Sequence, residues 1–407
     1  MKINMKKIGL FSASLALMSP VLLSVSCNNE TNKKIDWDES ISIVYNWEND
    51  SKWDKESFTN LLNQRFNELK NADPKLKDYK NVKFDLKVNE SKNQMLQDLK
   101  SNKKDADVAL ISYSTFVNET IDDSFPHFVG TSGTLQFKWN DDTNPNYLDG
   151  SATDPLRKIA NKENQLQFSA PFGEFKDWKD TKEIYGWDGS KYEAFYNLDK
   201  TTIFYHGSIL ISGTDQERAA IIKSWEDKNW AEFSKNGIVY KNKTSGGKFK
   251  YQISLIAKHF SNTFKNENEV VTWLDDPKNK EYVLSGKNAS IIGQEQKDKR
   301  TFNIAFDDEG AFNWTPKAWG TSSYVPSKPN SFVRVLTVTN KAPYDAILGR
   351  VGLSKEQVDL ISKVLNSLKI NENTLGKYTG YNYFSSNKDY KLLELIDVQK
   401  NAEGIKK

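Results

Sequence analysis

Residues 41–45 read Ile-Ser-Ile-Val-Tyr, an alternation that predicts a strand, and the polar stretch Asn46-Trp47-Glu48-Asn49-Asp50 after it predicts a loop. Phe58, Leu61, Leu62, Phe66 and Leu69 then recur at three- and four-residue spacing, which sets them on one face of a helix. Alternation returns at residues 82–88, residues 95–99 predict another helical turn or two, and residues 106–111 are a buried strand ending at Ser112 and Tyr113. This β-α-β-α-β order opens an α/β sheet. Between residues 118 and 200 the pattern blurs, and the clear signal there is Asp154-Pro155-Leu156, a capped helix start with proline in the first turn. Strands follow at 202–205, 209–211 and 237–240, with a helix over 214–227 that sets Ala219, Ile222 and Trp225 on one face. A helix carrying Tyr251, Leu255, Ile256 and Phe260 comes next, then strands at 302–306 and 333–338. Residues 354–368 read as an amphipathic helix with Ser354 as N-cap and Gln357 at N3.

The N-terminus has its own pattern. Lys2, Lys6 and Lys7 precede an apolar run over residues 8–25, and Ser26-Cys27 gives way to Asn28-Asn29-Glu30. That is a secretory signal with a processing site before the cysteine. The run is almost long enough to span a bilayer, but small residues Ser24 and Ser26 before Cys27 and polar ones after it favour cleavage and lipid attachment over an uncleaved anchor. Ser24 stands where a lipobox usually has leucine. Residues 1–26 are thus expected to be a lipoprotein signal peptide and residues 27–36 a polar tether. Cys27 is the expected lipid anchor, holding the chain on the outer face of the cell membrane, and two acyl chains suffice for stable anchoring.

The remaining 381 residues, 407 less 26, exceed one compact core and predict two lobes. Late elements returning to the first would give lobe one at 37–117 plus 315–400 and lobe two at 118–314, with a cleft between. The signal removes three lysines and no acids, so the formal charge of +3 falls to zero, and nothing in the charge suggests a nucleic-acid partner. Cys27 is the one cysteine of the chain, so burial rather than disulfides must hold the lobes. With 11 Trp and 17 Tyr the chain suits flat ligands such as carbohydrates, nucleobases and heteroaromatic rings, or simply an aromatic core.

Chemistry concentrates where strands give way to loops. Lys243-Thr244-Ser245-Gly246-Gly247-Lys248 joins a strand to a helix: glycines permit close backbone approach, hydroxyls donate, and a helix N-terminus favours an anion. The same residues also suit a plain turn, and their spacing is not that of a Walker loop. Ligands of open α/β folds sit beyond the carboxyl ends of strands, which brings in Trp47, Tyr113, Tyr205, His206, Asp307 and Glu309 beside Thr244, Ser245 and Gly246. The aromatics fit a core as well as a site, and the acids fit a solvated turn. His127, His206 and His259 show no metal or triad spacing, and His259 follows Leu255 and Ile256 as a packing residue would. No metal is expected. The start of a calcium-type loop at 142–146 lacks its glycine, where Tyr147 stands, and its closing glutamate.

Phe204-Tyr205-His206-Gly207, the helix with Lys223-Ser224-Trp225-Glu226-Asp227, the run FNIAFDDEGAFNW over 302–314, Thr153-Asp154-Pro155-Leu156 and Thr379-Gly380-Tyr381-Asn382 resemble the mycoplasmal high-affinity transport system lipoproteins. These are the extracytoplasmic thiamine-binding lipoprotein (Cypl) family, and the likeness spans nearly the whole chain after Cys27. The resemblance implies a two-lobed periplasmic-binding-protein-like fold of type II, each lobe a mixed sheet flanked by helices. It implies the solute-binding component of an ABC importer, closing over thiamine or thiamine diphosphate, with permease and ATPase subunits as partners and no catalytic residues or cofactor. Similarity to phosphonate-binding proteins implies that Thr244, Ser245 and Gly246 grip a phosphate or phosphonate, assisted by Tyr113. Trp47, Trp178 or Tyr205 would stack on the thiamine rings, and Asp307 or Glu309 would meet the cation. A monomer is expected. A surface hydrolase would need a convergent acid pair, for which Asp307 and Glu309 are the candidates, and an adhesin would need an exposed aromatic patch.

Overall fold

The compact unit of the chain is Asp36–Lys407. The computed structural model describes residues 35–47, 53–141, 143–317 and 322–406, so the expected signal, Cys27 and most of the tether lie outside the described residues. No helix among the described residues is long and apolar enough to cross a membrane.

Strands β1 (Ser40–Tyr45), β2 (Lys83–Val88), β3 (Val108–Ile111), β4 (His127–Phe137) and β5 (Tyr196–Thr202) begin the first sheet. β6 (Phe204–Tyr205) leaves it for β7 (Gly207–Gly213), β8 (Ile238–Tyr240), β9 (Val283–Ser285), β10 (Ile304–Asp308) and β11 (Phe332–Val338). β12 (Ala342–Pro343) leads back to β13 (Ala346–Gly349) and β14 (Tyr383–Phe384). The first sheet runs β14-β4-β13-β3-β1-β2, with β5 paired to β4; the second runs β11-β7-β10-β8-β9. Both are mixed: β1 is parallel to β2 and β3, whereas β13 is antiparallel to β3 and β4. In the second sheet β8 is parallel to β9 and β10, and β7 antiparallel to β10 and β11. β6 pairs antiparallel with β12 between the two sheets.

Local chemistry accounts for these elements. β1 and β3 sit in a parallel block covered on both faces, so nearly every residue of each is buried. The helix Lys55–Ala72 starts at Asp54, which accepts from the Ser57 N–H, and buries Phe58, Leu62 and Phe66. Its predicted stripe turns at the end: Leu69 is exposed, and Lys70 is buried instead, donating through Nζ to the Tyr79 carbonyl at 2.6 Å. The helix Pro155–Phe168 begins where Asp154 predicts, and the buried carboxylate accepts from the N–H groups of Leu148, Asp149, Gly150 and Leu156. Its Asn164 amide pairs with both backbone groups of Val335 and so occupies the open edge of β11.

The lobe boundaries differ from those expected. β4, predicted in lobe two, is a central strand of the first sheet, and β11, predicted in lobe one, closes an edge of the second. The blurred region divides: Trp139, Tyr147, Trp178, Tyr192 and Phe195 join the second core, while β5 returns to pair with β4. The chain therefore passes between lobes at β4, β5, β6 and β12, and its final return comes near residue 342 rather than 315. The helix Leu392–Glu403 straddles this junction, with Leu395 and Ile396 in the first core and Ala402 against Tyr251 and Ala342.

Candidate functional site

The two lobes enclose a cleft of about 1350 Å³ lined from both sides. On the second lobe, the loop after β8 is shaped by Asn242, whose side-chain oxygen accepts from the N–H and hydroxyl of Thr244. Ser245 is the N-cap of the following helix, which opens as one wide turn over Gly246–Lys250 and continues over Tyr251–His259. A Cβ on Gly246 would fall 2.6 Å from the Tyr251 hydroxyl, and one on Gly247 2.0 Å from Asp308 Oδ1. Both contacts are with side chains, so the two glycines leave the room in which Tyr251, Tyr205 and Asp308 pack against the loop. Helix-start N–H groups, Ser245 and Lys248 together make this end favourable for an anion. Opposite it on the first lobe stand Ser91, N-cap of the helix Lys92–Lys100, together with Lys92, Ser114 and Thr115. Lys250 reaches across and donates to Ser114 Oγ at 2.6 Å.

The rest of the wall is aromatic and acidic. Tyr344 lies 4.8 Å from the Tyr205 ring, and Tyr205 shares a 3.1 Å hydroxyl contact with Tyr251. Trp47 meets Tyr381 edge-on at 6.4 Å, and the Tyr381 hydroxyl donates to Asp345 at 2.6 Å. Lys92 Nζ also lies 2.6 Å from Asp345. Lys248 Nζ lies 3.2 Å from Asp307 and 3.4 Å from Asp308, and these two charges, Asp307 first, hold its pKa well above the usual ammonium range. Burial raises that of Asp308. The Tyr344 phenol is raised by burial, then by Glu309, Asp308 and Asp345, so three carboxylates bear on one ring of the cleft lining. Glu309 is held in the wall by Trp139 Nε1 and Asn140 Nδ2, both at 2.8 Å.

Of the residues singled out in the sequence, Trp47, Tyr205, Thr244, Ser245, Gly246 and Glu309 line the cleft. Four do not. Tyr113 is fully buried against Phe116 in the first core. Trp178 stacks on Phe195 at 4.9 Å and donates to the Gly173 carbonyl, so it belongs to the second core and has no face for a ligand. His206 is buried, with Nδ1 2.6 Å from the Thr339 carbonyl. Asp307 is buried behind the wall, accepting from the Tyr324 hydroxyl at 2.6 Å, and its neighbour Asp308 lines the cleft instead. Asp345, Tyr344 and Lys92 are gains of the structure. Ser91-Lys92 follows β2 and opens a helix, the same signal that marks Ser245, whereas Tyr344 and Asp345 sit on the return segment between β12 and β13, which no local motif marks. Among the described residues, no group of three His, Cys, Asp or Glu is placed to hold a metal ion.

Residues 56–404 match the CypI family, described as extracytoplasmic thiamine-binding lipoprotein. The chain is 27% identical to the high affinity transport system protein p37 of Mesomycoplasma hyorhinis, over 98% of this chain and 99% of that one. It is 29% identical to the p37 protein of Mycoplasma pneumoniae over 65% of this chain and 69% of the relative. Its fold matches the solved structure of the Mycoplasma hyorhinis protein Mh-p37, described as a candidate thiamine pyrophosphate transporter, with a TM-score of 0.79 and 27% identity, covering 91% of this chain and all of that one. A match of this extent, on a two-lobed fold with a cleft lined from both lobes, places the chain in the extracytoplasmic thiamine-binding lipoprotein family.

Proposed function

We propose that this chain is the solute-binding component of an ABC importer and captures thiamine diphosphate, or thiamine itself, in the interlobe cleft. One observation carries the reading: a single cleft joins a Ser-Gly-Gly helix start with Lys248 to a wall of aromatic rings and carboxylates. A diphosphate suits the first and a cationic heteroaromatic ring the second, with each aromatic contact contributing roughly 0.5–2 kcal/mol. Capture needs no bond to break, and the hydrogen bonds that tie Glu309 to Trp139 and Asn140 suit a fixed wall better than a proton donor. Hand-over to permease and ATPase subunits follows from this role. A lipid on Cys27 would keep the cleft beside its permease on the outer face of the membrane.

Calorimetric titration of the unit Asp36–Lys407 with thiamine diphosphate tests the ligand. Ser245→Ala removes an N-cap and an anion donor and is expected to weaken binding about tenfold, about 1.4 kcal/mol, and Trp47→Ala to weaken it comparably. Undiminished affinity in both variants rules the assignment out. Fatty-acid labelling of the full chain, lost in Cys27→Ser, tests the anchor, and equal labelling of the two would refute it.

A further inference from the structure

Each lobe presents one ion pair to the cleft. On the second lobe Lys248 meets Asp308 at 3.4 Å, with both side chains partly exposed; on the first, Lys92 meets Asp345 at 2.6 Å, with both largely covered. Among the described residues, the four lysines that line the cleft are all engaged: Lys243 pairs with Asp275, and Lys250 holds Ser114 and Glu403. Asp308 and the buried Asp307 hold Lys248, and Asp345 holds Lys92, so a simple anion that reaches either lysine must share it with a carboxylate or displace one. Sharing sets the anion against the negative charge of that carboxylate, and displacement leaves the carboxylate without its partner in a half-buried wall; both are unfavourable. A lone cation faces the mirror problem, because it strands the lysines. A molecule bearing both charges opens the pairs by exchange: its anion takes the lysines, and its cation takes Asp308 and Asp345, which both line the cleft.

We infer that Asp308 and Asp345 are specificity-determining residues that restrict the cleft to ligands carrying a cation and an anion in one molecule, and that they do so by competing with simple anions for Lys248 and Lys92. The inference rests on the proposed function for the identity of the ligand, and on the two ion pairs for the selection itself. It favours thiamine diphosphate over both thiamine and free phosphates, because a wrong ligand is penalised by the charge it leaves unpaired.

The test is calorimetry at fixed ionic strength with inorganic pyrophosphate, thiamine and thiamine diphosphate, on the wild type, Asp345→Asn and Asp308→Asn. Asp345→Asn, which removes the carboxylate paired with Lys92, is expected to tighten pyrophosphate at least tenfold and to weaken thiamine at least tenfold; Asp308→Asn, which leaves Lys248 with Asp307 at 3.2 Å, is expected to shift both the same way by a smaller, several-fold amount. Thermal melts confirm folding, and because the Asp308 side chain is partly exposed its amide variant stands in should Asp345→Asn fail to fold. Pyrophosphate bound no tighter in the folded variants than in the wild type overturns the inference, whatever thiamine does. Pyrophosphate tightened in the variants of a chain that binds neither thiamine compound supports the charge competition and removes the ligand assignment, so the two fail separately.

Discussion

His259 shows how burial fixes the state of a single group. Its ring stacks on Trp225 at 3.8 Å, with Nε2 2.7 Å from the Trp225 carbonyl and Nδ1 2.9 Å from the Tyr147 hydroxyl. Nε2 therefore carries the proton and donates, and Nδ1 accepts. Burial, the largest influence, pushes its pKa down to about 4. An unfolded histidine protonates near pH 6.5, so the folded state binds fewer protons between these values. The stability this confers is present in full above about pH 6.5 and is lost as pH falls toward 4, a swing of up to about 3 kcal/mol. His259→Phe keeps the stack without the titration, and its urea midpoint should fall less between pH 7 and pH 4.5 than that of the wild type; equal slopes would remove His259 as the source. The packing role of this residue was legible in its helical spacing. The roles of Tyr113 and Trp178 were not, since an aromatic ring at a strand end or in a loop satisfies a core and a cleft equally well. Asp307 and Asp308 differ by one position, and alternation along a strand sends neighbours to different surroundings, so composition could find the acidic turn but not the acid that faces the ligand.

Elements were legible where their signals are local. The helix Asp215–Glu226 has a full capping box, in which Thr214 Oγ1 accepts from the Glu217 N–H and the Glu217 carboxylate accepts from the Thr214 N–H. Thr214→Ala is expected to lower stability by about 1 kcal/mol in urea unfolding; a loss under a few tenths would mean that Glu217 holds the turn alone through its second partner, Lys328. Ser354 caps the helix Lys355–Asn366 by accepting from the Gln357 N–H, and was visible for the same reason, but the Gln357 side chain pairs with the Asp38 backbone instead of closing a box. β4 was not. Its sequence HFVGTSGTLQF lacks a clean alternation because almost every residue is buried, and its glycines answer to backbone neighbours: a Cβ on Gly130 would meet the Ser385 carbonyl at 2.2 Å and one on Gly133 the Thr202 carbonyl at 2.5 Å. Such requirements arise from strands far along the chain, and a local window does not contain them.

At the scale of the molecule, the lobes touch across the cleft as well as through the crossing strands. Lys250 donates to Ser114, and Ser190 Oγ donates to the Lys377 carbonyl at 2.7 Å. These contacts form only when the walls are close, so losing them should speed ligand escape more than slow its capture. Lys250→Met with Ser190→Ala is expected to raise the dissociation rate roughly tenfold, equivalent to about 1.4 kcal/mol, in stopped-flow tryptophan fluorescence reported by Trp47, Trp187 and Trp314. A change confined to the association rate would contradict that role. The two-lobed plan was legible from chain length and the β-α order, whereas the points of crossing were not, because pairing partners decide them. The placement of β13 has a consequence for how the molecule is made. This strand lies between β3 and β4 yet is supplied only after the entire second lobe. A chain synthesised from its N-terminus therefore carries β3 with an open apolar edge until residue 349 has appeared. The first sheet thus cannot be completed before the second lobe has been made, and a product broken off before that point would leave β3 as an edge open to pairing with other chains.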